Sequence, residues 1–125
     1  MILTVLVDNN TLIDRYFFAE PVLSFLLEDS GIRVLFDTEY SHSGICNITE
    51  YAKEVCGDSR VLDIVSGFHL LEPSEERMRG TLEYLKKLDP GCVHACHCTD
   101  LNSKIELSKV CRLKEVGVGL QIEYF

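Results

Sequence analysis

Seven residues of the chain, Cys92 to Cys98 in the stretch CVHACHCTD, hold three of its six cysteines and two of its four histidines. Thiolate and imidazole are the usual ligands of structural zinc, which takes two from a tight knuckle and two from a distant element. Cys96 and Cys98 are one residue apart, tighter than a knuckle, and Cys46, Cys56 and Cys111 each stand alone. A closed zinc-finger-like site is therefore the weaker reading, and small buried hydrophobes the stronger one. As a strand, the stretch alternates: Cys92, His94, Cys96 and Cys98 share one face, Val93, Ala95 and His97 the other.

His97 has a second attribute. It lies near the C-terminal end of its strand, beside Thr99 and Asp100, where α/β proteins place ligand sites. His69 has the same address, just after the strand that ends at Gly67. Asp37 closes the strand RVLFD, and His42 follows in the turn YSHSG. Each of the four, alone, is more often a hydrogen-bonding residue than a ligand. Together, at matching strand ends, they point to a shared site. Imidazole and carboxylate are what Zn²⁺, Fe²⁺ and Mn²⁺ accept. The position of His97 also suits an acid or a phosphate contact without metal.

The elements that must position these residues are legible in outline. Residues 2–7 read as a strand ended by the turn Asp8-Asn9-Asn10. Residues 22–28 and 32–37 read as a hairpin about Asp29-Ser30-Gly31. A helix opens at Asn47 and runs to Val55, closed by Gly57. RVLDIVSG reads as a buried strand. Pro73-Ser74-Glu75-Glu76 starts a helix on which Met78, Leu82, Leu85 and Leu88 recur at helical spacing, stopped by Pro90-Gly91. CVHACHC is a strand, residues 101–111 a short helix, and EVGVGLQIEYF a last strand. The alternation in the second half predicts α/β layering.

At 125 residues and 46% apolar composition the chain fits one domain, 1–125, with one core. A formal charge of −8 argues against nucleic acid or an anionic membrane as partner. No run is apolar for the length a bilayer requires. The opening MILTVLVDNN has no basic n-region and no small-residue cleavage site, so it reads as a strand, not a signal peptide. A cytoplasmic setting is expected, with the cysteines as thiols or ligands and not a disulfide framework.

Several segments carry a family likeness in one order. VLVDNNT, AEPVLSFLLED and VLFDT, then SHSGICNITEYAKEV, SGFHLL and CHCTD, resemble the metallo-β-lactamase superfamily. The likeness is to its branch of metal-dependent hydrolases related to the ribofuranosylaminobenzene 5'-phosphate (dihydropterin) synthases. It implies an αββα sandwich with mixed sheets and outer helices. It implies that His42 matches the third-motif histidine, a ligand of the first metal. His69 matches the position of a metal-bridging carboxylate, and His97 a ligand of the second metal. Asp37 matches the motif-one aspartate, which orients metal histidines through hydrogen bonds. By that resemblance His97 is one arm of a distributed site, and its neighbouring cysteines pack.

The departure from the family is large. Its signature His-x-His-x-Asp-His loop, which supplies ligands to both metals, is missing. Here Phe36-Asp37-Thr38 runs through Glu39-Tyr40 straight into Ser41-His42. A long internal segment reads as removed, giving a truncated domain. A site for two metals is out of reach, whereas His42, His69 and His97 suffice in number for one divalent metal, zinc first, with iron or manganese next. Two readings follow: a pared-down hydrolase of esters or phosphoesters, or a non-catalytic metal- or ligand-binding module. The shortened sheets would leave open edges, which a homodimer would cover.

Overall fold

The structure, a computed structural model, describes residues 2–7, 24–29, 31–37, 44–117 and 119–124. The predicted turn at Asp8-Asn9-Asn10 and the candidate ligand His42 lie outside the described residues.

Among the described residues eight elements follow one another as β1 (Ile2–Val7), β2 (Ser24–Asp29), β3 (Ile32–Asp37), α1 (Gly44–Cys56), β4 (Asp63–Ser66), α2 (Glu75–Leu88), β5 (Cys92–Ala95) and α3 (Leu101–Ser108). The five described strands form one sheet in chain order, β1-β2-β3-β4-β5. The first two ladders are antiparallel and the last two parallel. The predicted hairpin is present, registered from Ser24↔Asp37 to Asp29↔Ile32. Gly31 takes φ 83°, the left-handed backbone that glycine adopts without steric cost. From β3 onward the strands are parallel, so each pair needs a crossover, and α1 and α2 supply them.

The helices form where sequence pattern and end chemistry agree. α1 buries Ile45, Ile48, Thr49 and Ala52, one stripe at helical spacing. α2 is capped by Ser74, whose hydroxyl accepts from the Arg77 N–H at 3.2 Å, as the sequence predicts. Glu75 and Glu76 lie in its first turn and Lys86 and Lys87 in its last, both favourable to the helix dipole. α3 is capped by Asp100.

The core lies between the helices and one face of the sheet. Ile64 and Val93, paired across β4 and β5, are fully buried together with Leu85 of α2 and Leu107 of α3. Ile45 and Ile48 of α1 close the cluster. Each such side chain contributes roughly 1.5–3 kcal/mol on leaving water. On the opposite face, register aligns Val34 with Asp63 and Val65 with His94. There the C-terminal segment packs over the sheet. Val116, Leu120 and Ile122 face Leu27, Val34 and Val65 across an apolar cavity of about 580 Å³.

Two expectations require correction. No strand forms over the described residues of EVGVGLQIEYF; the edge of β5 is met only at the isolated bridge Val93↔Leu113. Gly117 and a left-handed Gly119 (φ 90°) interrupt the alternation, and the segment lies across the sheet instead of extending it. The strand CVHACHC stops at Ala95. Cys98 turns left-handed (φ 56°), so the common face proposed for Cys92, His94, Cys96 and Cys98 does not extend past the strand. The α/β class with a mixed sheet and outer helices is observed; a second sheet, as an αββα sandwich requires, is not among the described residues. No described helix is long and apolar enough to cross a membrane.

Candidate functional site

β3, β4 and β5 run parallel, so their C-terminal ends lie along one edge of the sheet. Asp37 ends β3, just past the pair Phe36↔Val65, and Ser66↔Ala95 is the last pair between β4 and β5. His69 and His97 follow in the loops beyond that pair. Three of the four predicted residues are thus collected at one edge.

The two loops are laced together. Cys96 N–H donates to Ser66 O at 2.8 Å, Leu70 N–H to Cys98 O at 2.6 Å, and Asp100 N–H to Leu70 O at 3.0 Å. Side chains add three more ties. Thr99 Oγ1 accepts from Phe68 N–H (3.3 Å), Ser103 Oγ donates to Leu70 O (3.0 Å), and Asp100 Oδ2 accepts from Glu72 N–H (2.7 Å). Phe68 and Leu70 are buried at 2% and 0% exposure, anchoring the loop on either side of His69. His69 is half-buried and His97 exposed.

The lacing holds the backbone in costly conformations. Four described non-glycine residues have positive φ, and three are in these loops: His69 (52°), Glu72 (44°) and Cys98 (56°). Each costs on the order of 1–2 kcal/mol and persists only where its surroundings impose it. Such strain collects at functional sites more than elsewhere.

Gly67 is required by contact. A Cβ there would lie 2.9 Å from His97 O, 3.0 Å from His97 Nε2 and 3.2 Å from His97 Cε1. The bare glycine backbone therefore seats the imidazole of His97 against the end of β4.

Asp100 accounts for its own position in CHCTD. Oδ1 accepts from Ser103 N–H at 2.7 Å, capping α3, while Oδ2 holds the other loop. These backbone donors, Ser103 first and Glu72 next, keep its carboxyl below the usual aspartate value. The cysteines behave as packing. All six are half-buried thiols outside any disulfide, and burial pushes those of Cys46, Cys96 and Cys111 up, away from the thiolate that a ligand or nucleophile needs.

One titratable cluster escaped the sequence reading. His94, 6% exposed, holds Asp63 Oδ1 at 2.8 Å through Nδ1, and the Tyr124 hydroxyl donates to Asp63 Oδ2 at 2.6 Å. Burial first, then the Asp63 carboxylate, push the Tyr124 phenol up. Asp63 is 2% exposed, so both of its partners matter. The available signal was a charged residue opening an apolar strand, with a histidine at an alternating position of the next.

As a metal site the described residues are incomplete. Among them no group of three or more His, Cys, Asp or Glu side chains is arranged to hold an ion. They supply two imidazoles on adjoining loops, and a catalytic site needs about three donors. A third must come from outside the described residues, where His42 lies.

No family model matches the chain. A stretch of 64 residues is 31% identical to the 7,8-dihydropterin-6-methyl-4-(beta-D-ribofuranosyl)-aminobenzene-5'-phosphate synthase of Methanocaldococcus jannaschii, covering 51% of this chain and 22% of that protein. An uncharacterised protein of the same archaeon is 33% identical over 73 residues, 58% of this chain and 27% of the relative. The crystal structure of a metal-dependent hydrolase of the β-lactamase superfamily superposes with a TM-score of 0.72 at 25% identity, over 82% of this chain and 40% of its own. The chain thus spans less than half the length of each of these relatives. The chain is thus similar in fold to a metal-dependent hydrolase of the β-lactamase superfamily and, over about half of its own length, similar in sequence to the dihydropterin synthase.

Proposed function

We propose that this chain is a metal-dependent hydrolase-like protein with a reduced histidine site at the shared edge of β3, β4 and β5. His42, His69 and His97 are the ligands of a single divalent ion, zinc first, with iron or manganese as substitutes. Asp37 orients a ligating ring through a hydrogen bond. The lacing of the two loops carries this reading, since it keeps the segments of His69 and His97 side by side in backbone that stability alone does not favour. The metal-dependent hydrolase with which the chain superposes supports it.

His42, His69 and His97 would hold such an ion, which would supply a water of lowered pKa for ester or phosphoester hydrolysis. The protein's own part is positional. Gly67 seats His97, and Asp100 holds the loop after β5 to the loop after β4. Elemental analysis of the purified chain tests the proposal, with a His42→Ala, His97→Ala double variant beside it. About one equivalent of metal, lost in the variant, is expected, together with turnover of a p-nitrophenyl ester or phosphodiester. A folded chain without metal above background would end the enzyme reading.

A specific observation favours a second reading, a non-catalytic module that holds metal or ligand on the retained fold. The sequence contains no His-x-His-x-Asp-His segment. Bound metal without turnover of any ester or phosphoester is its signature. The proposal also includes a homodimer formed through the sheet edge at β1, which ends the strand order. Sedimentation velocity decides that point.

A further inference from the structure

Two large apolar side chains stand on the outward face of α3, beside the exposed Asn102 and Ser108. Ser103 points into the protein, 1% exposed and bonded to Leu70 O, while Leu101 and Ile105 are 73% and 48% exposed. Leu101 and Ile105 are one helical turn apart and share a face. A short surface helix normally turns its polar residues to water and its leucines inward. Leu71, 57% exposed, stands in the laced loop beside this helix. Three of the six large apolar side chains exposed among the described residues are therefore gathered on one side of the molecule.

A groove runs along the same side, between α2 and α3. Met78, Leu82 and Ile105 form its apolar part. Its rim is acidic: Glu72, Glu75, Glu83, Asp100 and Glu106 stand against a single cation, Arg79. Glu106 is engaged by Lys109 and Asp100 by backbone N–H groups, while Glu72, Glu75 and Glu83 pair with no described basic residue. An apolar stripe flanked by uncompensated carboxylates matches one occupant, an amphipathic helix with an apolar face edged by lysine or arginine. A second copy of this chain fits poorly, because it would bring another net charge of −8 to the acidic rim.

We propose that the α2–α3 groove docks a partner protein through a basic amphipathic helix, beside the laced loops and independent of their metal. The pull of Glu72, Glu75 and Glu83 sets the approach and salt sensitivity, and Met78, Leu82 and Ile105 supply the apolar contact, extended by the exposed Leu101 one turn before Ile105.

The test uses the full chain, labelled with ¹⁵N, and a synthetic helical peptide of leucine and lysine with leucines on one face. Expected is saturable movement of the amide resonances of Met78, Leu82, Leu101 and Ile105. Binding weakens about tenfold when salt rises from roughly 0.05 to 0.5 M, as exposed charges are screened. A Leu101→Ser, Ile105→Ser double variant folds normally, both side chains being exposed, and loses at least about tenfold in affinity, equivalent to 1.4 kcal/mol. Three results would each overturn the proposal. A scrambled peptide of equal composition binds as well, a peptide with glutamate in place of lysine binds as well, or the resonances that move lie elsewhere. Self-association through Leu101 and Ile105, seen in sedimentation and abolished by the double variant, would also overturn it in favour of a second copy.

Discussion

Replacing Gly67 by alanine tests whether His97 is held by the end of β4. The added Cβ would meet His97 O at 2.9 Å and the ring at 3.0 Å, where ordinary contact begins at 3.4 Å. The ring can rotate away, but the carbonyl belongs to a loop tied at Ser66, Phe68, Leu70 and Glu72. The loop must therefore move by about half an ångström against several hydrogen bonds. Overpacking of this kind costs about 1–3 kcal/mol. Alanine returns about 0.4–1 kcal/mol by restricting the unfolded chain. The net loss is about 0.5–2 kcal/mol, read as a lower midpoint in urea at unchanged slope. If His97 ligates metal, the displaced ring also weakens metal binding, a readout that packing strain elsewhere would not move. A Gly67→Ala chain at least as stable as the parent, with an unmoved His97 ring resonance, would refute the reasoning.

Other consequences are equally direct. Asp100 has a folded-state pKa below its unfolded value, so its contribution is present above about pH 4 and is lost as pH falls through the lower folded value. Asp100→Asn should lower the thermal midpoint near neutral pH and flatten the acid limb of the stability curve, measured by circular dichroism from neutral to acid pH. Tyr124→Phe should cost about 1–3 kcal/mol, because the buried Asp63 loses a donor, and should speed proteolysis of the C-terminal segment. Cys98→Gly should stabilise the fold by up to about 1 kcal/mol, since glycine adopts φ 56° without the Cβ clash; a lower urea midpoint would contradict that account.

The sequence was most legible where local chemistry decides structure. Ser74 with Glu75 and Glu76 marks the start of α2, and Asp29-Ser30-Gly31 marks the hairpin, because caps and turns are set by neighbouring residues. The addresses of Asp37, His69 and His97 were legible for a related reason, since a strand followed by a loop defines an edge. Sequence does not report how two loops lace, because the tie from Asp100 to Glu72 spans 28 residues. The pair of His94 and Asp63 was missed likewise, being 31 residues apart and joined only by parallel register. The final segment misled because its alternation resembles a strand, while Gly117, Gly119 and the Tyr124 contact lay it across the sheet. His42, the remaining predicted ligand, lies outside the described residues.

Among the described strands the sheet follows the order in which the chain is made, since each pairs with its predecessor in sequence. A chain leaving the ribosome amino end first can therefore close each ladder as it emerges, with no earlier strand waiting for a later one to slip between its neighbours. The histidine loops sit at the end of this programme. Until Cys92–Ala95 has been synthesised, β4 presents a bare edge and the loop of His69 has nothing to tie to. A nascent chain halted before that point would be the species most exposed to chaperone capture or cross-pairing.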